Sequence, residues 1–266
     1  MPGVPIGICA RICLLVVSVG QLAVAVKIEV VQGLPVVNGV FVNGHGPYRF
    51  LVDTATTSNH IEPRLARSIE LAAAFRTELT SSVGTIAATG IDGVEVELDG
   101  ARADRQMFLF TGMDAVHHLE FGIRGILGQG FLSRFDYLLD LRGKRLEFGR
   151  QEASGHRAPF RVVDGRAAVA TSLGDLVLDS GAESVILFGV RPESTESGFT
   201  LRTLAGSQPV GIVYRKLLIE GRRIWSGTAV AIPERNEPGV SGLLPLNLFR
   251  SVYVCNSESY AVLETR

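Results

Sequence analysis

Short apolar stretches broken by Gly, Asn, Asp and Pro run through most of the chain. "VVNGVFVNGHGPYRFLVD" (36–53), "GVEVELDGARADRQMFLF" (93–110) and "LLDLRGKRLEFG" (138–149) alternate apolar and polar positions and are rich in β-branched residues. Period-two alternation bounded by turn residues predicts strands. The last stretch reads as a hairpin with Arg142 and Gly143 near its tip. Helical periodicity is scarce; its best instance is "EPRLARSIELAAAF" (62–75), with Pro63 near its start. The pattern predicts a mostly β protein.

The pattern also recurs. Leu51-Val52-Asp53-Thr54-Ala55 matches Val177-Leu178-Asp179-Ser180-Gly181, and Val37 and Gly39 stand as far before Asp53 as Val163 and Gly165 do before Asp179. Downstream, "GILGQGFLSRFDYLLDL" from Gly125 has a partner in "GLLPLNLFRSVYVCNSE" from Gly242, and each is followed by a closing strand, "KRLEFG" and "YAVLET". Two copies of one β unit over 30–150 and 158–266, joined by the polar "RQEASGHRAP" (150–159), are too few for a solenoid. They predict a bilobal, pseudo-twofold pair that brings Asp53 and Asp179 together at its axis.

Composition adds little to this and excludes more. The 266 residues are 46% hydrophobic and 20% charged, with a net charge of −1, so nothing basic attracts nucleic acid. The first residues differ: Arg11, an apolar run from Ile12 to Val26, and the small-x-small trio Ala23-Val24-Ala25 read as a signal peptide over 1–25. That predicts export to a periplasm or the exterior; a buried N-terminal element or an uncleaved anchor are the alternatives. Cys9 and Cys13 fall inside this leader, which leaves Cys255 alone and read as core.

Two carboxylates held close cannot both ionise cheaply, so one keeps a proton near neutral pH. One can then accept a proton from water while the other gives one to a carbonyl oxygen. This is peptide hydrolysis with no cofactor and no metal. It needs each aspartate at the end of a buried strand, which Leu51-Val52 and Val177-Leu178 supply.

"LVDTAT" and "LVLDSGAESV", each followed by its Gly-apolar-apolar element, resemble the aspartic proteases of the retropepsin and pepsin type, and above all the retropepsin-like aspartyl proteases that carry both halves in one chain. The resemblance implies an acid-protease fold of two β-barrel halves and an aspartic endopeptidase acting as a monomer on peptides or unfolded proteins. It makes Asp53 and Asp179 the catalytic pair. Thr54 and Ser180 would cross-brace the two loops, with Gly181 completing the second motif. Flap hairpins would come from 79–93 and 201–214.

Two positions depart from the family pattern. Ala55 stands where the first motif has Gly, which matters if that position needs positive φ or close approach. Pro245 stands where the first copy has Gly128, removing a backbone donor. Both motivate the alternative of a catalytically silent relative that binds peptides or a partner protein. Thr56, whose counterpart in the other copy is Ala182, is expected to bond the Asp53 carboxylate through its hydroxyl and favour its ionised form, leaving the shared proton on Asp179. "HHLE" (117–120) reads as a solvated loop rather than a metal site, and His60 as a surface or cap residue. A Gly-x-Ser-x-Gly elbow and a His-Glu-x-x-His pair are both missing from the sequence.

Overall fold

A computed structural model describes residues 24–120, 122–194, 199–234 and 237–266. The chain opens with an antiparallel meander of β1 (Val24–Val31), β2 (Leu34–Val42) and β3 (His45–Val52). Short β4 (Asn59–Ile61) leads into α1 (Pro63–Ser68), whose first residue is the expected proline. A long hairpin follows, β5 (Phe75–Ser81) and β6 (Gly84–Leu98), then β7 (Ala101–Phe110). After the one-turn α2 (Asp114–His117) come β8 (Gly125–Leu127), α3 (Gln129–Leu132) and the hairpin β9 (Tyr137–Asp140) with β10 (Arg145–Phe148).

The rest of the chain opens with a second meander, β11 (His156–Val163), β12 (Arg166–Thr171) and β13 (Gly174–Asp179). It continues through β14 (Ile186–Phe188), the small hairpin β15 (Thr200–Thr203) and β16 (Gly206–Pro209), and the long hairpin β17 (Gly211–Ile219) and β18 (Arg222–Ile232). Then β19 (Gly242–Pro245), a single 3-10 turn (Leu246–Leu248), β20 (Phe249–Cys255) and β21 (Tyr260–Thr265) close the chain. The alternation that predicted these strands is seen in their burial: Val94, Val96 and Leu98 face the core while Glu95 and Glu97 face outward.

One pairing pattern occurs twice. The third strand of each meander runs parallel to a short apolar strand, Leu51 opposite Ile126 and Val177 opposite Leu243. In each case a three-residue strand, β4 or β14, lies antiparallel to that partner and parallel to a further strand. The parallel strands are buried on both faces, hence their unbroken apolar runs. Glycine opens β8 and β19 because a side chain has no room: a Cβ on Gly125 would lie 2.5 Å from the His60 carbonyl oxygen, and one on Gly242 2.0 Å from that of Ile186. One main apolar core cluster draws on strands of both copies.

A six-stranded antiparallel sheet, ordered β1, β10, β9, β20, β21, β11, joins the copies, and its central pair sets Leu139 opposite Val252. The hairpin at Arg142 and Gly143 forms as expected. The linker is shorter than the polar run 150–159, because β11 begins at His156 and pairs with β21 there. The equal spacing of Val37 and Gly39 with Val163 and Gly165 is not the structural correspondence. The turn at Asp164 (φ 49°) and Gly165 (φ 78°) matches the one at Gln32 (φ 50°) and Gly33 (φ 88°). The β2–β3 hairpin of the first copy is simply longer, with its tip at Asn43 and Gly44.

The leader expected over 1–25, with Cys9 and Cys13, lies outside the described residues up to 23; its last two positions belong to β1, where Ala25 pairs with Glu147. Among the described residues no helix is long and apolar enough to cross a membrane. Cys255 is buried, as expected, with its thiol 3.5 Å from Asp136 Oδ2.

Candidate active site

Asp53 follows one buried parallel strand and Asp179 ends the other, and the two loops are tied together reciprocally. The Thr54 hydroxyl donates to the Leu178 carbonyl (2.7 Å) and accepts from the Ser180 N–H (3.0 Å). The Ser180 hydroxyl donates to the Val52 carbonyl (2.6 Å) and accepts from the Thr54 N–H (3.0 Å). Both side chains are buried, so all four bonds are shielded from water. Such a brace sets the spacing of the loops with little freedom. Gln129, the residue after Gly128, adds a bond from Nε2 to the Thr54 carbonyl at 2.6 Å.

Each carboxylate is also held by its own loop. The Ala55 N–H donates to Asp53 Oδ1 (2.9 Å) and the Gly181 N–H to Asp179 Oδ1 (2.7 Å). Gly181 lies against the other aspartate: a Cβ there would sit 2.7 Å from Asp53 Cγ. Burial pushes both carboxyls up from the usual range. At Asp53 the N–H groups of Ala55 and Thr56 and the charge of Arg166 oppose this, while Glu237 adds to it. Asp179 is held well above the ordinary value, by burial first and then by the negative charge of Asp53. A pair of this kind shares one proton over a wide pH range.

The aspartates floor a cavity of about 460 Å³. Two hairpins face it, β5–β6 with Leu79 to Ser82 and β15–β16 with Thr200 to Leu204. The hairpins touch, Ser81 Oγ lying 3.0 Å from Thr203 Oγ1. These overlap the two segments, 79–93 and 201–214, expected to supply flaps.

Several expectations change here. The Thr56 hydroxyl does not serve the Asp53 carboxylate; it bonds His60 Nε2 (3.2 Å), and what reaches Asp53 is the Thr56 backbone N–H. His60 is no surface residue. It is fully buried, bridges Thr56 and Thr111 (Nδ1 to Oγ1, 3.2 Å), and burial lowers its pKa to about 4, so it is neutral at pH 7. "HHLE" is not a loop throughout: His117 ends α2 with Nε2 2.9 Å from the Ile123 carbonyl oxygen, while exposed His118 borders the cavity.

The departures from the family pattern have local explanations. Ala55 has no positive φ, and its methyl packs on the apolar cluster of Val177, Ile186 and Leu243. Pro245 lacks a donor that its surroundings do not need. The Gly128 N–H donates to Asn59 Oδ1 (3.1 Å), but the strand register sets Val185 where Asn59 stands and Ile186 where His60 stands. A polar set in the first copy is thus an apolar set in the second, with no orphaned group.

Sequence reasoning missed Gln129, Asn59, Arg166 and Glu237. The last two line the cavity as an ion pair, Arg166 Nη1 to Glu237 Oε2 at 2.6 Å, both largely buried. A charge opening the apolar run "RAAVA" just after an Asp-Gly turn was the available signal.

No curated protein matches the chain. Among solved structures it is similar to a retropepsin-like aspartic protease from Rickettsia conorii, 18% identical, over 47% of this chain and 89% of that one, with a TM-score of 0.37. Residues 38–131, which hold Asp53 and end before Asp179, match the family model described as aspartyl protease.

Proposed function

We propose that the chain is an aspartic endopeptidase in which Asp53 and Asp179 activate a water for attack on a peptide carbonyl. The reading is supported by the reciprocal Thr54–Ser180 brace, which ties the two aspartate loops together beneath a cavity that two hairpins cover. The two copies act as retropepsin-like lobes, so one chain supplies both aspartates and works as a monomer. Substrate lies extended between the floor and the hairpins, bound in part by backbone pairing.

The ionised carboxylate takes a proton from the water as its oxygen bonds to the carbonyl carbon. The protonated carboxyl gives its proton to the carbonyl oxygen, forming a gem-diol. Collapse then breaks the C–N bond as the amine nitrogen takes the proton that the first carboxyl drew from water and a gem-diol hydroxyl returns one to the second carboxylate, leaving a carboxyl and an amine product and restoring the pair's single proton. The chain is exported, its leader removed near Ala25.

The test is digestion of a diverse peptide mixture by the purified chain from pH 3 to pH 8, beside Asp53→Asn and Asp179→Asn. Cuts lost in both variants are expected. A well-folded chain that binds peptides and never cuts them would identify a silent relative instead.

A further inference from the structure

The two turns that enter the second strand of each meander are alike in backbone, and so are the strands that follow. Val31 pairs with Leu34 and Val163 with Arg166; Val36 then faces Leu51 as Ala168 faces Val177. Leu34 and Arg166 therefore hold equivalent places, and both border the cavity. Leu34 packs with Leu51, Val116 and Ile126. Arg166 is 8% exposed at its own place.

A buried guanidinium is costly unless paired, and leucine does the packing at the matching site, so the fold itself does not call for a cation here. Its partners place it against the loop of one aspartate. Nη1 lies 2.6 Å from Glu237 Oε2 and 3.4 Å from the carbonyl oxygen of Ala55, two residues past Asp53. Nη2 is 3.6 Å from Asp164 Oδ2, and Nε 3.5 Å from the Val163 carbonyl oxygen. The backbone donors to the two carboxylates match, Ala55 and Thr56 on one side, Gly181 and Ala182 on the other, and so cancel. Leu34 brings no charge.

We propose that Arg166 is a positioning residue that makes the two aspartates unequal, keeping the negative charge of the pair on Asp53 and its proton on Asp179. This rests on the endopeptidase reading for its catalytic consequence: Asp53 takes the proton from water and Asp179 protonates the carbonyl oxygen. The other charged or titratable groups around the pair are Glu237, which disfavours ionisation of both aspartates, and, farther along the cavity wall, Glu183, Arg202 and His118. Asp164 faces Arg166 from its own turn, and His60 stands neutral behind Thr56.

The primary experiment is a carbon-13 NMR titration of the full chain with labelled aspartate carboxyls, Asp53→Asn and Asp179→Asn serving for assignment. Asp53 is expected to ionise at lower pH than Asp179. Arg166→Gln, which keeps donors toward Glu237 and the Ala55 carbonyl, should raise the lower apparent pKa by about one unit, as loss of a nearby opposite charge does. Arg166→Lys should restore it, and Glu237→Gln should lower both values. If Asp179 ionises first, or if Arg166→Gln leaves the lower value in place, the proposal is overturned. The acid limb of kcat/KM should move with the NMR value. A chain that never cleaves would refute the endopeptidase reading, while the titration would still decide the role of Arg166.

Discussion

Replacing Thr54 with Val keeps the shape of a buried side chain and removes only its hydroxyl. That hydroxyl serves two groups of the opposite loop, the Leu178 carbonyl and the Ser180 N–H. Both would be left buried without that partner, at about 1–3 kcal/mol each. A loss of roughly 3 kcal/mol follows, equivalent to about 6–12 °C in Tm for a chain of this size. Thr54→Ser keeps both bonds and deletes one buried methyl, at about 1 kcal/mol. Urea unfolding of the three proteins at pH 7 measures the difference. Cleavage kinetics should show a fall of about a hundredfold in kcat for Val, because loosened loops misplace the aspartates, and a small effect for Ser. If Val costs no more stability than Ser, the brace does not hold the loops and the reasoning fails.

The residues that close the two motifs are not interchangeable, and opposite substitutions show it. Gly181→Ala drives a methyl into the Asp53 carboxyl and should cut kcat more than tenfold, whereas Ala55→Gly should cost about 0.5–1 kcal/mol of stability and leave kcat within a few-fold; steady-state rates and urea midpoints check both, and an active Gly181→Ala enzyme would contradict the geometry. His60 contributes to pH sensitivity of folding. Its folded pKa of about 4 lies below the unfolded value near 6.5, so its contribution is complete above about pH 6.5 and is lost as pH falls toward 4, by roughly 3 kcal/mol. Urea midpoints of wild type and His60→Gln across that range should converge on acidification; parallel curves would reject the assignment.

The strands, the hairpin at Arg142 and Gly143 and the helix at Pro63 were legible because they depend on neighbours: alternation, turn residues and a proline at a helix start act over a few residues. The two Asp-Thr/Ser motifs and their Gly-apolar-apolar partners were legible for a related reason. Buried parallel strands demand apolar runs, and Gly125 and Gly242 have no room for a side chain. What stayed hidden depends on contacts between distant segments. The repeat reads out of register in the sequence, with Gly39 in the place that Gly33 holds, because the longer β2–β3 hairpin displaces Gly33 from the spacing that Gly165 keeps. The sequence points the Thr56 hydroxyl at Asp53, but His60, four residues on, turns inward and takes it. Pro245 reads as a defect in the sequence, yet Val185 stands in the place of Asn59; Arg166 reads as one charge among many, yet its strand register gives it the place that Leu34 holds in the first copy. In each case the chain lists the polar group, but only packing decides which partner satisfies it.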